Sequence, residues 1–307
     1  MSTPPLRRRC RTSSLPGLFL VVVAAGIFGR ISLSGLFSPD IQKLKDRRNI
    51  EALAHVLDNP DPELQYRAAE ALGDLGDPAG VGPLVAAMSR SDYSGVRWQA
   101  AGALSKIGDP AVGPLISLLR HEDEDVRWQA AIALGEIRNP DAIEPLIALF
   151  NDRDRYVRSR AAIAVSIIGD PAIDRLIAVL REGDPANRWA AAIALGRTCS
   201  GRAVDPLIAA LTDPAREVRA AAASGLSTIG EPATGPLLRF LKFTSGSQRI
   251  EGVRTLAALR AADAIEPLIQ LLERAKNGEE AEIAEALDTI LSSQLTPVAT
   301  EPEQEKP

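Results

Sequence analysis

The chain is poor in the residue types that build most catalytic and metal centres. Its two cysteines, Cys10 and Cys199, exclude a disulfide framework and a four-cysteine zinc site. Two histidines, His55 and His121, are too few for an imidazole-rich metal site. No glycine-rich phosphate loop of recognised spacing occurs anywhere in the 307 residues. Aromatic residues make up only 4%, so the core offered by a 46% hydrophobic content must come from Ala, Leu, Ile and Val. Ala and Leu lead the helix formers, which makes this a helical profile. Charged residues at 24% together with 46% hydrophobic residues exclude wholesale disorder.

Acid is absent from the first 39 residues, which carry Arg7, Arg8, Arg9, Arg11 and Arg30 for a balance of +5. The total is −5, so the remainder carries −10. An acidic remainder argues against a nucleic-acid-binding role, which calls for a basic stripe. Behind the arginines, the apolar run 15–28 has the length of a signal-peptide core and is short for a membrane span of about 20 residues. Extension to Phe37 would reach that length only with Arg30 inside the membrane. Segment 1–33 therefore stays open to three readings: a signal-anchor, a cleaved signal, or an upstream extension outside the natural product. The location expected is cytoplasmic, with membrane attachment through residues 15–37 as the alternative.

From residue 34 onward the chain repeats itself. Val126-Arg127-Trp128-Gln129-Ala130-Ala131-Ile132-Ala133-Leu134-Gly135 returns as Val96-Arg97-Trp98-Gln99-Ala100-Ala101-Gly102-Ala103-Leu104, with weaker copies on either side. The first alanine of the pair falls at 68, 100, 130, 161, 191 and 222, with Gly252 next, a period of 30–32 residues. A second marker in the same register, Pro-Leu, starts at Pro83, Pro114, Pro145, Pro206, Pro236 and Pro267, and Arg175 stands where another proline is due. Each unit predicts two helices. The first carries its proline in the opening turn, where a missing N–H does least harm. The second places Val126, Ala130, Ala133, Leu134 and Ile137 on one face. Ile-Gly-Asp-Pro turns at 107–110 and 168–171 separate the units. One helix pair cannot bury its apolar face alone, so the pairs must stack.

These motifs resemble the HEAT-like repeats of the phycobilisome-lyase type, with their Val-Arg-x-x-Ala-Ala-x-Ala-Leu-Gly run, Gly-Asp-Pro turn and Pro-Leu-Ile helix. The resemblance implies an all-α, right-handed α-solenoid of about eight stacked helix pairs over 34–292. Residues 38–44 are expected as a short capping helix and 293–307 as a disordered polar tail. Members include bilin lyases, chaperone-like relatives and plain protein-binding scaffolds, so the resemblance specifies fold rather than activity. HEAT-repeat deoxyhypusine hydroxylases, similar in architecture, hold two irons on several His-Glu pairs. The single pair His121-Glu122 with a remote His55 cannot supply that set, and no metal, cofactor or catalytic residue is assigned. Cys199 sits in a turn without a histidine near it in sequence and is expected to be a buried or idle thiol.

Two surface columns remain. Arg97, Arg127, Arg158, Arg188, Arg219 and Arg249 recur once per unit, with Gln65 in the first. They are expected to be structural, paired between units with acids such as Asp123, Asp154, Asp184, Asp109 and Asp170. All three tryptophans, Trp98, Trp128 and Trp189, share one repeat position, with Tyr66 in the first unit. Steps of 100° per residue put them at the flank of the surface-facing side. The columns of Gln129, Ile132 and Glu136 are expected to be most exposed. The central second helices then present Ile132, Ile163, Ile193 and Ile167 with Arg160 and Arg197, and charged residues lie toward both ends. Apolar patches with polar rims mark interaction sites, although the same residues could pack between neighbouring second helices. The leading expectation is a non-catalytic scaffold that binds another protein or an extended peptide. The alternative is a lyase-like or cofactor-handling chaperone that holds a planar ligand on this surface.

Overall fold

The computed structural model describes residues 39–275 and 278–295. Segment 1–33 and everything after Leu295 lie outside the described residues. Contacts divide the chain into two units, one ending at Asp40 and one beginning at Ile41, and every described helix belongs to the second. The architecture is an α-solenoid, and no strand occurs among the described residues. A short helix, α1 (Ile41–Asp46), precedes eight pairs. The first helices are α2 (Ile50–Val56), α4 (Val81–Arg90), α6 (Val112–Leu118), α8 (Ile143–Ala148), α10 (Ile173–Glu182), α12 (Val204–Ala210), α14 (Thr234–Phe243) and α16 (Ile265–Glu273). The second helices are α3 (Pro62–Leu75), α5 (Ser94–Ile107), α7 (Glu124–Ile137), α9 (Arg155–Ile168), α11 (Pro185–Arg197), α13 (Arg216–Ile229), α15 (Gly246–Ala258) and α17 (Glu280–Leu295). The last of these runs three residues past the expected end of the array at residue 292, because Ser293 still bonds back to the Ile290 carbonyl.

Sequence chemistry sets the helix ends. Carboxylates of Asp61, Asp123, Asp154 and Asp184 accept backbone N–H groups in the first turns of α3, α7, α9 and α11, satisfying donors that a helix start leaves free. Between units, Gly108, Gly169 and Gly230 take φ of 82–84° with ψ near −140°, a conformation that side chains exclude. A Pro-containing 3-10 turn then leads into the next helix. Arg138 and Cys199 close their turns with φ of 59° and 52° instead, the left-handed region that residues other than glycine tolerate at modest cost. Cys199 is exposed there, so of the two expectations, a buried or an idle thiol, the buried one is corrected: at a helix end it faces away from the core.

The core runs through the array as columns. The marker alanines Ala68, Ala100, Ala130, Ala161, Ala191 and Ala222 are 0% exposed, as are Leu72, Leu104, Leu134, Leu195 and Leu226. Each buried leucine contributes about 1.5–3 kcal/mol. The second alanine of the pair is buried in the middle of the array and loses burial toward its end, Ala223 being half-buried. Ala131, Ala162 and Ala192 are buried, whereas Ala284, its counterpart in the last pair, is exposed. No helix among the described residues is long and apolar enough to cross a membrane.

Candidate functional site

The second helices place their flank residues side by side, one unit apart. Trp98 on α5 and Trp128 on α7 stand with ring centroids 5.7 Å apart at a 37° tilt. Trp128 meets Tyr156, the second residue of α9, edge-on at 5.5 Å. The Arg160 guanidinium lies 5.8 Å from the Trp128 ring and 4.5 Å from Tyr156, and it donates to the Tyr156 hydroxyl. Arg155 covers Trp189 of α11 at 5.9 Å. The Trp128 indole N–H donates to Asp125 at 2.9 Å, which fixes the ring's outward pose. Aromatic pairs and cation–ring contacts of this kind each contribute about 0.5–1.5 kcal/mol. The result is a continuous ladder from Trp98 to Tyr156, extended to Trp189 by Arg155.

Exposure grades along it. Trp98 is 49% and Tyr156 47% exposed, while Trp128 and Trp189 are half-buried against the core. Ile132, Ile163 and Ile193 are half-buried, Arg160 likewise, and Arg197 is exposed. Gln129 departs from expectation. It is 2% exposed. The side of α7 that bears it packs toward α5, so it lines a narrow notch of about 70 Å³ with Trp98, Gly102 and Ile132. Tyr156 and Arg155 escaped the sequence reading because they belong to the position before the repeat motif, occupied by Asp125 and Glu124 one unit earlier. A change from acid to aromatic and cation at matched positions was the available signal.

The arginine column forms a second ladder, on the loop edge of the array. Every guanidinium except that of Arg158 reaches a carboxylate of the next unit. Arg97 pairs with Asp123, Arg127 with Asp152 at 2.8 and 2.9 Å, and Arg188 with Asp213 at 2.7 and 2.9 Å. Arg219 lies 3.5 Å from Glu251, and Arg249 3.0 Å from Glu279. Most also tie down their own loop, as Arg127 does through the carbonyls of His121 and Glu122. Arg158 holds only the carbonyls of Asp152 and Arg153 and makes no ion pair among the described residues. Of the acids expected as partners, Asp123 pairs with Arg97 and also caps its helix. Asp154 and Asp184 act as caps, and Asp109 accepts from Asn139. Burial alone would raise the Asp213 carboxyl, yet hydrogen bonds from Arg188 and the Ala215 N–H outweigh it and hold the group below the usual carboxylate range.

Surface charge differs along the second helices. Toward the start, Asp74 takes both Lys106 and Lys45, and their hydrogen bonds hold its carboxyl low. Toward the end, Glu282 takes Arg254 at 2.8 and 3.0 Å. His121 accepts the Asp123 N–H at its Nδ1 within a loop, and no group of three metal-ligating side chains occurs among the described residues.

A family model described as HEAT repeats matches residues 50–117, 112–182 and 173–242, and one described as PBS lyase HEAT-like repeat matches 248–274. No curated protein matches the chain. Among solved structures, human deoxyhypusine hydroxylase in complex with glycerol is 22% identical with a TM-score of 0.36, over 83% of this chain and 100% of that one. The complex of CpcE and CpcF of phycocyanin lyase from a Nostoc species is 25% identical with a TM-score of 0.33, over 78% and 94%. Importin beta is 16% identical with a TM-score of 0.47, over 83% and 43%.

Proposed function

We infer, on the premise that this chain belongs to the HEAT-repeat family, that it is a non-catalytic scaffold which holds another protein or an extended peptide on the surface of α5, α7, α9 and α11. One observation carries the reading: Trp98, Trp128 and Tyr156 form a contiguous aromatic strip, with Arg160 across Trp128 and Tyr156 and with Trp98 and Tyr156 about half open to solvent. Rings and guanidinium groups that are already ordered lose little entropy on contact with a partner, and Trp, Tyr and Arg dominate binding hot spots. Ile132, Ile163 and Ile193 add apolar anchors beside them. A planar ligand on the same surface is less well supported. The notch beside Trp98 is about 70 Å³, against roughly 300–1,000 Å³ for pockets that enclose small molecules.

The test is the pair Trp128→Ala and Ile163→Asp, introduced together in the full chain. Partner binding should be abolished while circular dichroism shows the helical fold retained, with the unfolding midpoint lowered only by the lost ring contacts. Loss of the fold would assign both residues to packing between helices, and full retention of binding would move the site elsewhere.

A further inference from the structure

The proposed surface leaves open what chemistry its partner carries, and its charges answer that question. Helices α9 and α11 contain no acidic residue over 155–168 and 185–197. Three arginines on this part of the surface, Arg155, Arg160 and Arg197, have no ion-pair partner among the described residues, and two of them rest on aromatic rings instead. Of the acids nearby, three are engaged. Asp125 accepts the Trp128 indole and lies 3.7 Å from Arg97, Asp154 caps α9, and Asp184 caps α11. Elsewhere the same surface neutralises itself. Asp74 holds Lys45 and Lys106, Glu282 holds Arg254, and Arg67 stands between Glu63 and Glu70 at helical spacing on α3. In a chain whose charge beyond residue 39 is −10, three unneutralised cations, two of them on the Trp128 and Trp189 rings, are a local reversal of sign.

We propose that the surface of α9 and α11 is the docking site for an acidic, extended peptide segment of a partner protein, its carboxylates on Arg155, Arg160 and Arg197 and its apolar side chains on Trp128, Trp189 and Ile163. The inference rests on the scaffold reading above. Guanidinium groups match carboxylates in two-point geometry, and complementary charge selects among partners more than it adds affinity. The acidic remainder of the array repels a nucleic acid backbone, whereas a short acidic segment can confine its charge to this patch.

The experiment pans a phage-displayed library of random twelve-residue peptides against the full chain. Retained peptides are then measured on the wild type, on Arg155→Glu with Arg160→Glu and Arg197→Glu, on the milder Gln versions at the same positions, and on Trp128→Ala. Circular dichroism checks each variant's fold, and a twelve-nucleotide single-stranded DNA serves as competitor. Retained peptides should be acidic with interspersed apolar residues. They should bind about tenfold more weakly to the charge variants and should weaken in high salt. Neutral or basic peptides, or binding indifferent to the Gln and Glu variants, would overturn the acidic partner; if such peptides still required Trp128, the scaffold reading would stand without it. Preference for the oligonucleotide would overturn it too. No retained peptide, or peptides indifferent to Trp128→Ala, would remove both inferences.

Discussion

Asp152→Ala tests whether the arginine ladder couples the units. The Arg127 and Asp152 side chains are 5% and 8% exposed, and their two parallel bonds of 2.8 and 2.9 Å make this the most deeply buried pair in the ladder. Removal of the carboxylate strands a guanidinium in the interior with two carbonyl oxygens and no counter-charge. Breaking such a pair costs about 3–5 kcal/mol, and the carbonyl bonds that survive set the expectation near the lower end, about 3 kcal/mol. For an array of this size that is a fall of roughly 1 M in the urea midpoint, read by circular dichroism in parallel with tryptophan emission. Replacement of both partners, Arg127→Met with Asp152→Leu, should recover most of the loss, since the desolvation penalty disappears with the charge. A midpoint within about 0.3 M of wild type for Asp152→Ala, or a double variant weaker than the single, would refute the reasoning.

Three further perturbations have opposed or graded outcomes. A Cβ on Gly135 would stand 2.8 Å from the Ala164 Cα and 2.9 Å from its carbonyl oxygen, so Gly135→Ala should cost about 1–3 kcal/mol. Gly102, inside α5, has open space around the same atom, and Gly102→Ala should instead gain about 0.5–1 kcal/mol; equal signs in thermal melts would contradict the packing described. The Asp213 carboxyl is held low in the folded chain, so the unfolded chain binds the proton first as pH falls. Its contribution is whole above the unfolded value of about 3.9 and is lost as pH drops through the folded one. Asp213→Asn should therefore flatten the decline in stability below about pH 4, and an unchanged acid slope would exclude the pair as its source. Arg158→Met, which removes no ion pair, should cost less than Arg188→Met in the same urea series, and the reverse order would show that carboxylate pairing does not set these costs.

The fold was legible because its signals are short-range. An alanine pair, a proline in the first turn and a glycine-acid-proline stop each act within one helix or one turn, and they recur often enough to fix eight pairs and the buried columns. Contacts between units were harder. Arg127 finds Asp152 across 25 residues by the reach of two side chains, whereas Asp154, two residues on, is spent on capping α9. Gln129 looked exposed on an isolated helical wheel, but α5 covers that flank of α7. Tyr156 had no repeat column to announce it. The tryptophan column was plain in the sequence, while its stacking with Tyr156 and Arg160 depends on how closely neighbouring helices approach.

The arginine ladder gives the array a grain. Every rung runs from one unit to the next and none runs back, beginning after Gln65 in the first unit and ending on Glu279, beyond which Glu280 stands at the arginine position. A unit is thus completed by its successor. During synthesis from the N-terminus, the guanidinium of Arg127 waits for α9's loop to emerge, and that of Arg188 waits for the loop before α13. Arg158 waits for nothing, since it holds only carbonyls of its own loop. A chain truncated after α9 therefore leaves each remaining ladder arginine with the partners it has in the full array, whereas one cut a unit earlier or later separates Arg127 or Arg188 from its carboxylate.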